Sequence, residues 1–166
     1  MMSVDSNTQP LALQPHNTQH HIREVTIADL IPLRADCWVH RSLTASTEIL
    51  KMIENASKRN RGSGIVVESS LTRKIIAYAQ IMLLTKCYEI SDLIVSENYR
   101  SQGIGTAMIQ YLIRAVPMNR TKIIEIGVAE TNIRALALYQ KLGFSRAYDL
   151  KLVSGCIIYL RLETGD

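Results

Sequence analysis

Aromatic residues are scarce in this sequence: its 166 residues include one Trp, one Phe and seven Tyr, or 5% of the chain. Because apolar residues still make up 47% of the chain, they predict a core that is mainly aliphatic. Few aromatic side chains stand near the basic residues, so binding of single-stranded nucleic acid by base stacking is not indicated. The length corresponds to one domain that is large enough to bury a substantial core.

Long apolar runs are also missing. The longest, residues 75–84, is too short to span a bilayer and contains Gln80. The first residues lack a basic stretch followed by an apolar one, so we expect neither a secretory signal nor a membrane partner. Cysteine is limited to Cys37, Cys87 and Cys156, which have no zinc-ligand spacing and indicate a reduced, cytoplasmic setting without a bound metal.

Positive charge is in only small excess, and the formal net charge of the chain is +4. Part of that excess lies in the basic run at residues 58–61, which is typical of a solvated loop, although such a run can also attract an acidic partner. We therefore do not expect nucleic acid as a partner. Residues 1–20 are rich in Gln, Asn, Thr, Pro and His and predict a flexible N-terminal tail, which leaves residues 21–166 as a single folded domain. The tail histidines could ligate a metal, but a polar tail accounts for them.

The most informative feature that is present is a closely spaced glycine pair between an apolar strand and an amphipathic helix. Residues 99–106 read Tyr-Arg-Ser-Gln-Gly-Ile-Gly-Thr, and the apolar residues after them fall on one helical face. Backbone N–H groups at a helix start have no intrahelical partner, and the helix dipole adds positive potential there. Glycine lets the backbone approach a ligand and adopt positive φ. This turn is therefore predicted to bind a phosphate or pyrophosphate group.

Two common classes of phosphate-binding loop are excluded because residues that they require are absent from this one. A P-loop requires Lys followed by Ser or Thr after its second glycine, but Gly105 is followed by Thr106 and Ala107. A dinucleotide-binding loop requires Gly or Ala where this chain has Met108. From this loop alone, a glycine turn that binds no ligand is an equally valid interpretation.

A second motif favours the ligand-binding interpretation. It is the run Asn-Ile-Arg-Ala-Leu-Ala-Leu-Tyr-Gln-Lys-Leu-Gly-Phe at residues 132–144, which follows the glycine loop after one helix and one strand. Together with the loop at residues 100–105, Arg-x-x-Gly-x-Gly, and the apolar strand before it, this motif resembles the GNAT superfamily of acyl-CoA-dependent N-acyltransferases. The resemblance covers residues 87–148, and the earlier part of the chain agrees in the order of its elements.

The predicted elements suit this resemblance. Strands followed by helices near the centre imply parallel pairing there, and the flanking hairpins imply antiparallel pairing elsewhere. The predicted fold class is α/β (α+β): a GNAT-like mixed, mostly antiparallel central sheet with a splayed parallel pair and helices on both faces. Helices are predicted at residues 28–38 and 44–56, after the glycine loop, and from Asn132 onward. Strands are predicted at residues 21–26, 64–68, 74–84, 88–95, 122–128, 147–153 and 156–162.

The resemblance implies acetyl-CoA as the acyl donor, bound without a metal where strands 88–95 and 122–128 splay apart. In the family, the strand backbone pairs with the pantetheine arm, and the loop amides hold the pyrophosphate. The backbone N–H of Ile94 would polarise the thioester carbonyl as an oxyanion donor. The residues implied to bind the cofactor are Leu93, Ile94, Val95, Arg100, Ser101, Gln102, Gly103, Ile104, Gly105, Thr106 and Asn132.

Two side chains are implied to carry the proton transfers. Tyr139 occupies the position of the family's general acid, which protonates the leaving CoA thiolate, and packing on its helix face is the alternative. Glu89 matches the catalytic glutamate of histone acetyltransferases in this superfamily and would take a proton from the acceptor ammonium. Strand alternation predicts Glu89 on the same face as Leu93 and Val95. Asp92, expected on the other face, is the second candidate for the base.

One departure from the family pattern bears on the acceptor. Acetyltransferases that act on protein N-termini often carry a glutamate five residues before the Asn of the second motif, where this chain has Gly127 and, two residues earlier, Glu125. This difference weakens the expectation of a protein N-terminus as acceptor without excluding it, because a terminal α-amine, with a pKa of about 7.7 to 8.0, needs less help from a base. The predicted function is direct transfer of an acetyl group from acetyl-CoA to a primary amine, on a small molecule or a peptide, in a ternary complex. The alternatives are a non-catalytic acyl-CoA sensor and a toxin that acetylates aminoacyl-tRNA. Assembly into a homodimer is compatible with the resemblance.

Overall fold

The apolar runs of the chain form one seven-stranded sheet in the order β1-β2-β3-β4-β5-β7-β6, as seen in a computed structural model that describes residues 20–117 and 119–164. The strands are β1 His20–Glu24, β2 Gly62–Ser69, β3 Ile75–Leu83, β4 Tyr88–Val95, β5 Ile123–Ala129, β6 Ser145–Leu152 and β7 Gly155–Glu163. The helices are α1 Leu30–Asp36, α2 Leu43–Lys58, α3 Ile104–Ala115 and α4 Ile133–Lys141.

Only one pair of neighbouring strands in the described sheet is parallel. β4 and β5 pair from Tyr88, opposite Ile124, to Ile90, opposite Ile126, and their pairing then stops. All the other neighbouring strands are antiparallel. Beyond Ile90 the two parallel strands therefore separate. The predicted mixed sheet with a splayed parallel pair is confirmed.

Two apolar clusters cover opposite faces of the sheet, because neighbouring residues in a strand point to opposite sides. Ile65 and Val67 of β2 belong to the larger cluster, which includes side chains of α3 and α4. Val66, between them, belongs to the smaller cluster with Leu33 of α1 and Leu50 of α2. The helices therefore lie on both faces, as predicted, and each face is stabilised mainly by aliphatic burial.

The first helix starts differently from the helix predicted at residues 28–38. A 3₁₀ turn, Ile27–Asp29, precedes α1. The buried Asp29 accepts hydrogen bonds from the Thr26 N–H at 2.8 Å and from two nitrogens of Arg23, each at 2.8 Å. Because these contacts fix Asp29, the helical segment begins with a tighter turn. The apolar pattern of the sequence alone does not predict this turn.

The predicted tail at residues 1–20 lies outside the described residues apart from His20, which begins β1. The sheet therefore starts one residue earlier than predicted. Within residues 20–117 and 119–164, no helix is long and apolar enough to cross a membrane. The same residues contain no group of three or more His, Cys, Asp or Glu side chains that could hold a metal ion.

Candidate active site

A cleft of about 600 Å³ opens where the N-terminal ends of α3 and α4 meet the end of β4. Every residue predicted to bind the cofactor lines it except Gln102. The side chain of Gln102 is engaged elsewhere: its Oε1 lies 3.3 Å from His20 Nε2, and its amide donates to the Asn98 carbonyl at 3.5 Å. The lining residues that the sequence motifs contain but that were not predicted to bind the cofactor or to act in catalysis are Tyr99, Arg134, Ala135 and Leu138.

The glycine loop is concave because two of its residues adopt left-handed backbone conformations. Ser101 has φ +64°, and Gly103, which caps α3, has φ +78°. A Cβ added to Gly103 would meet no atom within 4 Å, so the glycine is required by its backbone conformation, and a side chain there would project into open space. Successive N–H groups in such a turn, followed by a helix start, suit a pyrophosphate.

Two guanidinium groups border this loop. Arg134, in the first turn of α4, donates through Nη2 to Ser101 Oγ and ties the second motif to the loop. Arg100 donates from Nε to the Val95 carbonyl at 3.1 Å. These cations add positive charge beside the amides that would bind phosphate. Sequence reasoning did not identify Arg134, although a cation in the first turn of the second motif was a usable signal.

A second cleft, of about 270 Å³, occupies the gap between β4 and β5. Leu93, Ile94, Asn132 and Tyr139 line both clefts, so the two clefts adjoin at these residues. Asn132 accepts a hydrogen bond from the Ala135 N–H at 3.1 Å, which fixes the start of the helix that carries Tyr139. Together the clefts fit a long ligand with a phosphate-bearing part at one end and a narrow part that enters the sheet.

Tyr139 stands where the two clefts adjoin and is 5% exposed. Burial raises the pKa of its hydroxyl above the usual value of 10. The hydroxyl therefore carries its proton at neutral pH, as a general acid must before the reaction. The ring also lies near Phe144, with 6.4 Å between centroids, so Tyr139 contributes to the core as well.

A β-bulge interrupts β4 within the candidate site. Tyr78 of β3 is opposite Ile94. Two residues further along β3, Gln80 is opposite Ser91, which is three residues away from Ile94, so β4 has one extra residue here. Asp92 lies in this bulge with φ +53°. An extra residue reverses the alternation of side chains between the two faces from that point on.

The predicted shared face of Glu89, Leu93 and Val95 is therefore wrong. Leu93 and Val95 pack against the larger cluster, on the side of α3 and α4. Glu89 lies two residues before Ser91, on the opposite face, where Ser91 accepts a hydrogen bond from Gln80 at 3.1 Å. Strand alternation failed because the bulge depends on pairing with β3. As a result, Glu89 faces away from the phosphate loop.

The ladder between β3 and β4 also sets the direction of the amides after the bulge. The N–H of Ser96, the residue that follows β4, donates to the carbonyl of Ile76 in β3 at 2.8 Å. Because hydrogen-bonded pairs alternate along an antiparallel ladder, the Ile94 N–H is likewise directed at β3, and those of Leu93 and Val95 point towards the gap. Of these two, Leu93 lines the second cleft. The geometry therefore favours Leu93, and not the predicted Ile94, as an oxyanion donor.

Two carboxylates lie side by side on the face away from the phosphate loop, because Glu89 of β4 is opposite Glu125 of β5. Glu125 is buried and accepts hydrogen bonds from Arg161 Nη2 at 2.7 Å and Nε at 3.0 Å, and from the Tyr148 hydroxyl at 2.9 Å. The Cys87 thiol lies 3.6 Å from the same carboxylate. Burial raises the pKa of Glu125, but the hydrogen bonds from Arg161 and Tyr148 outweigh it and hold the pKa below its usual value.

Glu89 is half-buried, and its carboxylate makes no hydrogen bond or ion pair with any residue that the structure describes. Burial, and then the charge of Glu125, raise its pKa above the usual value. A free carboxylate with a raised pKa is suited to act as a general base. Asp92, the second candidate, is held by Arg41 through bonds of 2.8 and 3.3 Å, and Arg41 lies over the Trp38 ring at 4.9 Å. The structure therefore leaves Glu89 the freer carboxylate.

Gly127 makes room for an aromatic ring beside the second cleft, which it lines. A Cβ added to it would come within 3.1 Å of Tyr159 and 3.2 Å of Ile157. Tyr159 stacks on Tyr148 with 4.8 Å between ring centroids and 11° between planes. Since β6 is exposed along its whole length, this stacked pair forms an accessible wall near Glu89 and Glu125, which we call the tyrosine wall.

Comparison with known proteins connects this geometry to a family. A sequence model of the Acetyltransferase (GNAT) family matches residues 27–144. The [ribosomal protein bS18]-alanine N-acetyltransferase of Escherichia coli is 28% identical over 74 residues, which are 45% of this chain and 50% of that protein. This chain thus spans about half the length of the first curated relatives it matches.

Solved structures share the fold. The ribosomal-protein-S5-alanine acetyltransferase of Vibrio fischeri superposes with a TM-score of 0.74 at 16% identity, covering 89% of this chain and 94% of that one. A variant of the spermidine N-acetyltransferase SpeG of Vibrio cholerae gives a TM-score of 0.69 at 16% identity, covering 89% and 95%. At these identities the likeness establishes the fold alone.

Proposed function

The chain belongs to the GNAT family of acetyltransferases, and we propose that it is an N-acetyltransferase that moves an acetyl group from acetyl-CoA directly to a primary amine. The observation that carries this proposal is the pair of adjoining clefts, with a phosphate-binding loop at one end and the buried Tyr139 hydroxyl at the junction. The carboxylate of Glu89, which has no partner in the described part of the chain and lies on the opposite face of the sheet, supplies the third chemical group that amine acetylation requires.

Acetyl-CoA would bring an activated thioester to this site, and the residues of the chain bind and orient it. The amides of residues 101–106 and the guanidinium of Arg134 bind the pyrophosphate. The backbone of β4 after the bulge offers N–H groups to the pantetheine arm. The Leu93 N–H donates to the thioester carbonyl oxygen as negative charge develops there, and one such donor lowers a barrier by roughly 3 kcal/mol.

Direct transfer requires three proton movements. An alkylammonium has a pKa of roughly 10.4, so Glu89 accepts a proton from it, directly or through one water, and passes that proton to solvent before the nitrogen attacks. Once the C–N bond has formed, the nitrogen releases a second proton to Glu89 by the same route, and as the C–S bond breaks, the Tyr139 hydroxyl donates its proton to the departing sulfur. Solvent then takes the second proton from Glu89 and restores the one on Tyr139. None of the three cysteines lines either cleft, so the mechanism needs no acyl-cysteine.

The acceptor enters from the face that carries Glu89, because α3, α4 and the phosphate loop occupy the other face. Two arginines near Glu89 on this face pair with carboxylates, Arg41 with Asp92 and Arg161 with Glu125. One carboxylate beside the tyrosine wall, with no partner among the residues that the structure describes, fits a single ammonium next to an apolar group better than it fits a polyamine. We therefore favour a peptide N-terminus or a small monoamine as acceptor. The Escherichia coli relative is named for protein alanine, and the Vibrio cholerae structure is named for spermidine.

Thiol release from acetyl-CoA tests this proposal, with an alanine-initiated peptide, phenylethylamine, a lysine peptide and spermidine as acceptors. We expect thiol and N-acetyl product in equal amounts, with a monoamine preferred over spermidine. Tight binding of acetyl-CoA in calorimetry without release for any amine would favour the acyl-CoA sensor, and release that depends on aminoacyl-tRNA would favour the toxin. A folded protein that does not bind acetyl-CoA would contradict the proposal. The cytoplasmic setting and the homodimer stay predictions from the sequence.

A further inference from the structure

Glu125 is a buried carboxylate that the proposed reaction does not use. Its side chain is 8% exposed, and it faces Glu89 at the same register position on the neighbouring strand. Two adjacent carboxylates disfavour each other's ionised form. Their contacts differ sharply: Glu125 accepts hydrogen bonds on both oxygens, whereas Glu89 has no partner among residues 20–117 and 119–164. These hydrogen bonds stabilise the ionised form of Glu125, and no contact with a described residue does the same for Glu89.

We propose that Glu125, kept ionised by Arg161, is a positioning residue that sets the basicity of Glu89. This proposal rests on the proposed role of Glu89 as the general base. Arg161 binds Oε1 of Glu125 through two N–H groups, and Tyr148 binds Oε2. The anion is thus fixed in place beside Glu89. A fixed negative charge there favours proton uptake by Glu89, which is the task of a base that meets an ammonium.

The order of the strands determines the sign of this effect. Glu89, Glu125 and Arg161 occupy successive register positions on β4, β5 and β7. The anion of Glu125 is therefore one strand nearer to Glu89 than the cation of Arg161. Because Coulomb energy falls with distance, the pair leaves a net negative field at Glu89 even though it is neutral as a whole.

The other groups around Glu89 do not supply this field. On β3, the residue opposite Glu89 is the uncharged Met82. The remaining ionisable groups near the carboxylates stay neutral at pH 7, because burial raises the pKa of Cys87 to about 11, of Tyr148 to about 12, and of Tyr159 above its usual value. The Asp92–Arg41 pair also lies on this face, three residues further along β4, but of the charges on described residues that of Glu125 is the one that raises the pKa of Glu89.

The experiment measures the pKa of Glu89 directly, by carbon-13 NMR of the glutamate side-chain carboxyls as a function of pH. The Glu89 resonance is assigned by its loss in Glu89→Gln. The pH profile of kcat/KM is recorded in parallel. The variants are Glu125→Gln, Arg161→Gln and the double variant, with Arg161→Lys as a conservative rescue. Glu54→Gln is the matched control, because it removes an exposed glutamate that pairs with Lys58 on α2.

We expect the pKa of Glu89 to fall in the order Arg161→Gln, wild type, double variant, Glu125→Gln. Removing the nearby anion lowers it by about one pH unit, and removing the cation raises it. Arg161→Lys should restore the wild-type value, and Glu54→Gln should leave it unchanged. The acid limb of kcat/KM should move in the same order, and Glu125→Gln should reduce kcat/KM at neutral pH several-fold, since a weaker base takes up the proton less readily.

An unchanged Glu89 pKa in folded Glu125→Gln would overturn the proposal, whatever the kinetics show. Arg161→Gln leaves the buried carboxylate of Glu125 without its cation, which can prevent folding. In that case wild type, the double variant, which lacks both charges, and Glu125→Gln still test the expected order of Glu89 pKa values. A pKa that shifts as expected, with a kcat/KM profile that does not follow, would overturn the base role of Glu89 and the tuning role with it. NMR thus separates failure of the coupling from failure of the proposed function.

Discussion

The two faces of the sheet form their halves of the candidate site from different groups. On the side of α3 and α4, most groups that would contact the donor belong to the backbone: left-handed turns at Ser101 and Gly103, helix N-termini and the amides of β4. On the other face, the groups are side chains that converge from separate strands, such as Glu125 and Arg161, which are 36 residues apart. A donor that stays the same can be bound by groups common to all residues, whereas an acceptor is recognised by particular side chains.

Tyr139 lies where the two halves meet, so its hydroxyl gives the largest expected effect. Tyr139→Phe should lower kcat by roughly 10² to 10³ because proton transfer to the leaving sulfur is lost. The affinity for acetyl-CoA, measured by calorimetry, should stay near wild type, since the ring still packs beside Phe144. An unaltered kcat, with chemistry shown to be rate-limiting, would leave Tyr139 a packing role only.

Loss of the base tests the acceptor side alone. Glu89→Gln should lower kcat/KM at neutral pH by about 10² and leave acetyl-CoA affinity unchanged. Because burial and Glu125 raise the pKa of Glu89, wild-type activity should fall as pH drops through a value above the ordinary glutamate pKa. The variant should instead gain activity steeply as pH rises towards the pKa of the amine. Parallel pH profiles with little loss of rate would remove Glu89 from the mechanism and leave Asp92 or a water chain.

A glycine in the phosphate loop tests the donor side alone. Gly103→Val forces a β-branched residue into a left-handed conformation and places its side chain in the open cleft. We expect acetyl-CoA affinity to fall about tenfold, or roughly 1.4 kcal/mol. Circular dichroism should show a retained fold. Unchanged affinity in the folded variant, measured by calorimetry, would show that this loop does not bind the cofactor.

A second glycine provides the matched test on the acceptor side and the smallest effect. Gly127→Ala should push against Tyr159 and Ile157 and displace the tyrosine wall. We expect KM for the amine to rise roughly fivefold, or about 1 kcal/mol, with acetyl-CoA affinity unchanged. Steady-state kinetics with a monoamine would measure this. If acetyl-CoA affinity fell as much as in Gly103→Val, the two faces would not be separable.

Much of the donor side could be predicted from the sequence, because it depends on short stretches. The bounds predicted for β4, residues 88–95, match the structure, and Asn132 caps α4 at the predicted place. The bulge at Asp92 could not be predicted. It arises from pairing with β3, and one Asp in a left-handed conformation leaves only a weak local signal. Arg134 had a signal within the second motif, but the spacing alone did not show that its side chain reaches Ser101.

The acceptor side was harder to predict, because it depends on the order of strands. The final hairpin was predicted, but either of its strands could have paired with β5. In the structure the last strand, β7, lies between β5 and β6. That insertion brings Arg161 against Glu125 and stacks Tyr148 on Tyr159. No spacing rule along the chain contains this information, since it is a property of the assembled sheet.

The extra residue in β4 separates the strand into two segments whose side chains alternate between the faces in opposite phase. In the proposed reaction, positions before Asp92 would contribute side chains that act on the amine, and positions after it would contribute amides that bind acetyl-CoA. A substitution at Glu89 or Ser91 therefore leaves the direction of the side chains and amides after Asp92 unchanged. We therefore expect a substitution before Asp92 to change the preference for the amine without moving the amides that are proposed to face the thioester. Deleting Asp92 would remove that separation, because every side chain beyond it would turn to the opposite face.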